Sequence, residues 1–243
     1  MAQAYELGHV TVHDLAIGLK VSEATVRRDL RALAQQSQIE VTHGGAFVSR
    51  GSDYSFNSKL QRNVEAKKVI GKLAAGLITD GSQIFLDSGT TSYEMCPHLR
   101  PKRGLSVIIN SVRIAQELAS PGVSVIMLGG QYRPDRMDTV GPVATSSLEQ
   151  LRGFTAFIGT DGIGMDFGMT ASDIESAHLY RLAVRNARQT ILLADHTKFD
   201  APSLYMIVQW DSISHIVTDC QPNQQWRDFF AQREIQVIFP NHQ

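Results

Sequence analysis

The run Asp87-Ser88-Gly89-Thr90-Thr91 holds, in five positions, what an anion cradle requires. Gly89 lets the backbone come close to a ligand, and Ser88, Thr90 and Thr91 add hydroxyl donors. A helix starting there would supply unpaired N–H groups and partial positive charge. Taken alone, the same run is also a helix capped by Ser and Thr. A P-loop lysine is absent, so the chemistry is that of a small anion and not of a nucleotide. Four further polar or glycine-rich runs follow β-like stretches: Asn110-Ser111, Gly129-Gly130, Gly159-Thr160-Asp161-Gly162, and Ala194 to Phe199 with Asp195 and Lys198. Each alone reads as a turn or cap. Together they favour one shared pocket for a small polar anion.

A second chemistry lies near the N-terminus. "VSEATVRRDLRAL", residues 21–33, concentrates Arg27, Arg28 and Arg31 in a chain whose net charge is -1. Ser22 can cap a helix by accepting an N–H bond from its first turn. Val26, Leu30 and Leu33 then share an apolar face, and the arginines fall largely off it. The plain alternative is a solvated charged face. Other clusters are weaker. His9 and His13 are four apart but lack a third ligand, so no metal is expected. His196 stands beside Asp195 without a nucleophile elbow. "RPDRMD", residues 133–138, is a charged loop: either surface, or a mobile lid or effector contact.

The elements that must position these residues follow from the apolar pattern. The chain has 243 residues, more than the roughly 100–200 of one domain. Hydrophobic residues make up 43% and charged residues 19%, an ordinary globular balance. With a pI near 6.7, any nucleic-acid contact must be local. Two distant cysteines, Cys96 and Cys220, exclude a disulfide scaffold and fit a reducing compartment. No apolar run reaches the roughly 18 residues of a membrane span, and no signal-peptide pattern opens the chain. A cytoplasmic protein without a membrane partner is expected.

Residues 1–50 read as two short helices with a tight turn, followed by a hairpin whose turn is Gly44-Gly45. That is a winged helix-turn-helix. The second helix would enter the major groove, with Glu23, Ala24, Thr25 and Arg28 nearest the bases. Arg27 and Arg31 would meet phosphates, and His43 would sit in the wing. Residues 51–63 read as a linker. From residue 64 to 243 strands and helices alternate, which argues for a mostly parallel α/β sheet covered on both faces. A helix is expected from Val64 to Leu77, and another after Ser88. Ligands of such sheets bind at the carboxyl ends of strands, where the order reverses.

"VTVHDLAIGLKVSEATVRRDLRAL" followed by "THGGA" resembles the DNA-binding domain of the DeoR family of bacterial repressors. Two departures stand out. Only "MAQAYELG" precedes the "VTV" segment, where the family has a full first helix, so that helix is short or truncated. "QIEV" precedes the wing turn, where the family often has basic residues, and Glu40 would repel a phosphate. "DSGTT", "NS", "LGG", "VGP", "IGTDGI", "GMT" and "ADHTKF" resemble the family's sensor domain, which is similar to the fold of ribose-5-phosphate isomerase. The resemblance implies a sugar-phosphate site at Ser88, Gly89, Thr90, Thr91, Asp161, Gly162, Thr170, Glu175 and Lys198, with Asn110 and Ser111 as neighbours. Asp87, Gly129 and Gly130 join the expected effector set as strand-end residues.

Isomerases of this fold carry a "DGADE"-like loop with several carboxylates. Here the stretch is "DGIGMD": Asp161 remains, and Asp166 is out of step. Glu175 is the remaining candidate base. The expectation is therefore a regulator and not an enzyme, with no cofactor. Its partners are operator DNA, a phosphorylated sugar and further copies of itself, as a dimer or tetramer. The alternative is a sugar-phosphate isomerase with a vestigial DNA-binding domain.

Overall fold

The computed structural model describes residues 9–35, 39–42, 44–48 and 56–240. The chain forms two compact units, Met1–Val64 and Glu65–Gln243.

In the N-terminal unit, β1 (His9–Thr11) leads directly into α1 (Val12–Leu19), and α2 (Glu23–Gln35) follows after a short turn. Thr11 Oγ1 accepts from Asp14 N at 3.0 Å and caps α1. Lys20 closes α1 in the left-handed region, φ 55°, where its N–H reaches the last carbonyls. Ser22 Oγ accepts from Thr25 N at 3.2 Å, as its position in the sequence predicts. The apolar stripes of both helices meet: Val12, Val26 and Leu30 are buried with Val10 and Ala46, and Leu15 and Leu33 pack against them. Each fully buried Val or Leu contributes about 1.5–3 kcal/mol, so this small core rests on few residues.

Strands β2 (Ile39–Val41) and β3 (Gly45–Val48) complete an antiparallel sheet of order β1-β3-β2. The hairpin exists, but Gly45 is not in its turn. It is the first residue of β3, paired with Thr11 of β1. A Cβ at Gly45 would lie 2.0 Å from Val10 O, so glycine is required by strand approach. Strand β1 was hidden in the sequence because it is three residues long and runs straight into a helix.

The C-terminal unit centres on seven parallel strands. These are β4 (Gln83–Leu86), β5 (Leu105–Ile109), β6 (Val123–Met127), β9 (Thr155–Gly159), β12 (Gln189–Leu193), β14 (His215–Val217) and β15 (Gln236–Ile238). Their order is β15-β14-β12-β9-β4-β5-β6, with every pair parallel. The chain builds outward from β4 to β6, then returns to place β9 against β4 and builds the other way. The order therefore reverses between β4 and β9.

Alternate side chains feed two cores, one on each face of the sheet. Phe85, Ile108, Ala156, Ile158 and Leu192 join one core with Trp210, Trp226 and Phe230. Ile84, Leu86, Val107, Ile109, Phe157, Ile191 and Leu193 join the other with Ile70 and Ala74. This is the period of two that a strand buried on both faces shows. The expected helix after the linker is present as α4 (Val64–Gly76), preceded by a short α3 (Phe56–Leu60).

Three features depart from the sequence reading. The helix expected after Ser88 is two short ones, α5 (Thr90–Tyr93) and α6 (Cys96–Leu99), because Pro97 starts a new turn. The charged stretch 133–138 is not a plain loop. Arg133 ends β7 (Gln131–Arg133) and Asp138 begins β8 (Asp138–Val140), an antiparallel hairpin. A small antiparallel sheet also forms from β10 (Gly162–Gly164), β11 (Gly168–Ala171) and β13 (Tyr205–Val208). The remaining helices are α7 (Val112–Glu117), α8 (Pro142–Glu149), α9 (Ile174–Asn186) and α10 (Gln224–Gln232).

Candidate functional site

In the N-terminal unit, α2 presents its arginines to solvent. Arg28 is more open than Arg27, with 78% of its side chain exposed, and it meets Asp29 at 3.5 Å. Arg31 is exposed. Arg27 pairs with Glu23 one turn earlier at 3.3 Å, and Glu23 also meets His13 of α1 at 3.5 Å. Glu23 is therefore held within the protein rather than turned wholly outward. Ala24 is exposed and Thr25 half-buried, and the Thr25 hydroxyl shares a 3.0 Å hydrogen bond with Ser22 Oγ. Arg27 and Arg31 border a cleft of about 420 Å³ between α2 and the β2–β3 wing, lined also by Val12, Leu30, Val41 and Thr42. His43 and the side chains of His9 and Glu40 lie outside the described residues.

In the C-terminal unit, the ends of β4 and β9 meet at the reversal point. Asp87 is buried there, and its carboxylate ties the two loops together. Oδ1 accepts from Gly89 N at 3.1 Å and from Ser92 Oγ, while Oδ2 accepts from Gly159 N at 2.8 Å. Burial raises the Asp87 carboxyl above its ordinary value despite these donors. A Cβ on Gly89 would stand 3.1 Å from the Asp87 carboxylate oxygens, a tight contact that glycine avoids. The helix behind this loop is four residues long, so its dipole is small. Backbone N–H groups and hydroxyls must carry any anion here.

Ser88 is the junction of a longer network. Its Oγ donates to Asp138 Oδ2 at 3.0 Å and shares a 2.8 Å hydrogen bond with Tyr180 OH, which also accepts from Ser88 N at 3.2 Å. With its own proton on Asp138, Ser88 must accept from the phenol. Burial, and then the charges of Asp87 and Asp138, push the Tyr180 phenol well up, so it keeps that proton.

Behind Ser88, Arg133 grips Asp138 with two bonds, Nε at 2.8 Å and an Nη at 2.7 Å. The same guanidinium donates to Asp173, the N-cap of α9, and to Ser176 Oγ at 3.2 Å. Arg136 meets Asp173 at 3.0 Å. Burial by itself would lower the Arg133 pKa, but Asp138 and Asp173 raise it overall. Burial by itself would raise the Asp173 carboxyl, but Arg133 and Arg136 bring it below its ordinary value.

The remaining expected residues have partners of their own or stand in solvent. Asn110 and Ser111 are fully buried beside the hairpin. Asn110 Nδ2 donates to Thr139 O at 2.9 Å, and Ser111 caps α7 and bridges to Asp138. Asn110 Oδ1 is buried without a hydrogen-bond partner among the described residues. Asp161 follows β9 and accepts from Ser172 N and Oγ at 2.8 and 2.7 Å. Gly162 begins β10 against Ala201 O, where a Cβ would meet that oxygen at 1.7 Å.

Thr170 is fully buried, and its hydroxyl is spent inside the small sheet, donating to Gly162 O at 2.6 Å and accepting from Ser203 N at 2.7 Å. Thr90 is buried and Thr91 half-buried on α5. Gly129 and Gly130 are exposed after β6, and Gly130 adopts φ 130° against Val140 O. Glu175 is exposed on the first turn of α9. Lys198 is half-buried in a 3-10 turn (His196–Lys198) after β12.

Sequence reasoning passed over Asp138, Tyr180, Asp173 and Ser176. Only the Arg–Asp alternation of 133–138 signalled any of them. Asp87, Asp138, Asp161 and Asp173 are each engaged by hydroxyls, backbone N–H groups or arginines, and Glu175, the candidate base, stands exposed on the first turn of α9.

Comparison with known proteins agrees with this geometry. Residues 5–50 match the DeoR-like helix-turn-helix domain, and residues 62–220 match the DeoR C terminal sensor domain. The HTH-type transcriptional repressor GlcR of Bacillus subtilis is 32% identical over 94% of this chain and 89% of its own. The HTH-type transcriptional repressor CsqR of Escherichia coli is 32% identical over 97% and 91%. Among solved structures, a D-ribose-5-phosphate isomerase in complex with phospho-erythronic acid aligns at 16% identity with a TM-score of 0.42. It covers 56% of this chain and 54% of that one. The chain belongs to the DeoR family of DNA-binding transcriptional regulators.

Proposed function

We propose that this protein represses carbohydrate-metabolism genes and that a phosphorylated sugar bound in the C-terminal unit sets its affinity for operator DNA. The observation that carries the reading is the Ser88 junction. One hydroxyl at the reversal point of the sheet is bonded to the hairpin aspartate and to α9 at the same time. A relative, the lactose phosphotransferase system repressor of Lactococcus lactis, is 32% identical over 93% of this chain.

Arg28, with Ala24 and Thr25, faces base edges, and Arg27, Arg31 and His43 meet phosphates. The sugar phosphate lies over Ser88, Gly89, Thr90 and Thr91, within reach of Asp161 and Lys198. Asn110 Oδ1 is an acceptor for a sugar hydroxyl. A phosphate arriving at Ser88 meets the Asp138 carboxylate already there. Two anions cannot share that donor, so binding must displace Asp138 or draw Arg133 toward the phosphate. Either change loosens the bond between the hairpin and the N-terminus of α9. The ligand shifts the balance between two arrangements only by as much as its affinity for them differs.

A mobility shift with the protein's own upstream DNA, at two salt concentrations and with a panel of sugar phosphates, tests the reading. Specific, salt-sensitive binding altered by one sugar phosphate is expected. Binding indifferent to the whole panel would remove the effector half, and no specific binding would remove the reading.

A further inference from the structure

Three side chains with metal-binding chemistry meet at the carboxyl ends of β12 and β14, the same end of the sheet as the Ser88 junction but toward its β15 edge. Strands β12 and β14 are parallel neighbours, with Leu193 opposite Val217. Just beyond them the chain places His196 on one side and Asp219 and Cys220 on the other. A ligand atom from each lies within 4.8 Å of the other two. His196 Nδ1 and Asp219 Oδ2 are 2.7 Å apart, and the backbone N–H of His196 donates to Asp219 Oδ1 at 2.8 Å. The cluster is thus held by two adjacent strand ends and not by a free tail.

We propose that His196, Asp219 and Cys220 form a three-ligand site for a zinc-class divalent cation, with one coordination position left to water or a ligand oxygen.

Zinc bonds of about 2.0–2.3 Å to nitrogen, oxygen and sulfur put tetrahedral donors roughly 3.5 Å apart, so the His196–Asp219 pair at 2.7 Å must open by under about 1 Å and no other pair need close by much more than about 1 Å. Imidazole, carboxylate and thiolate together suit zinc, while magnesium and calcium prefer oxygen alone. The way in is open: 54% of the His196 side chain is exposed. Cys220 is half-buried, whereas Cys96 is buried in the core, so Cys220 is the thiol within reach of a metal. A bound ion would clip the loop after β12 to the loop after β14. Lys198, two residues from His196, would then be held in place relative to the sheet.

Cobalt titration of the full chain tests the site, because a cobalt–thiolate bond gives a charge-transfer absorption. The expected result is a band that grows with Co²⁺ and is bleached by Zn²⁺. It should be absent in Cys220→Ser, and His196→Gln should need at least tenfold more Co²⁺. Absence of the band in the parent protein, or its survival in Cys220→Ser, overturns the proposal. A second measurement needs no variant. Zn²⁺ should slow alkylation of Cys220 in the native chain at least tenfold, read by peptide mass. An unchanged rate is equally fatal to the site.

Discussion

Among single residues, Arg28 and Ser88 have the sharpest consequences. Arg28 is more exposed than Arg27, and its partner among the described residues is its sequence neighbour Asp29. If it reads a base, Arg28→Ala should cost about 1–3 kcal/mol of operator affinity and relax specificity at one position. Equal affinity for operator variants at every position, before and after the change, would take Arg28 out of the reading set. Ser88→Ala removes the hydroxyl that joins Asp138 to Tyr180 but leaves Asp138 its bidentate arginine. Operator binding should survive, and release by the sugar phosphate should be lost. Loss of operator binding with effector affinity intact would contradict the assignment.

At the scale of elements, the β7–β8 hairpin is fastened to α9 by charge. Arg133→Met leaves the carboxylates of Asp138 and Asp173 without their main cation in a buried setting. Breaking such a pair costs about 3–5 kcal/mol, which urea unfolding would show. Adding Asp138→Asn should recover part of the loss, because the repulsion between the two carboxylates goes with it.

The clasp also sets a pH dependence. The folded Asp173 pKa lies below its ordinary value, so its contribution is present above the unfolded pKa. It is lost as pH falls through the folded one. Wild type should therefore melt above Asp173→Asn at pH 7, and the gap should close in acid. A gap that persists below the carboxylate range would mean that Asp173 acts through packing alone. In the wing, Gly45→Ala forces β3 away from Val10 O and should destabilise the N-terminal unit by about 1–3 kcal/mol.

For the whole molecule, charge and copy number are linked. With a net charge of -1, we expect DNA affinity to come from one helix face and not from the surface at large. Each phosphate contact contributes about -0.9 to the slope of log affinity against log salt. Arg31→Ala should lower that slope by about 1 for each bound protomer. One helix-turn-helix unit offers few contacts, and paired half-sites supply the rest, so we expect a dimer or tetramer on the operator. Light scattering of the free protein and of its operator complex checks this. A single protomer per operator would refute it. None of the described helices is long and apolar enough to cross a membrane.

Patterns written in neighbouring residues were legible in the sequence. Val26, Leu30 and Leu33 repeat at helical spacing, Ser22 caps, and apolar strand runs alternate with helices, because local backbone geometry and burial both leave short periods. That was enough for the winged helix, the parallel sheet and the polar strand ends. The sheet order decided the rest. Ser88 meets Asp138 across 50 positions and Tyr180 across 92. The same folding turned Thr170 into a buried brace for the small sheet and left Glu175 in solvent. A hydroxyl or carboxylate carries no local sign of its partner, since that partner is chosen when strands distant in the chain become neighbours in space.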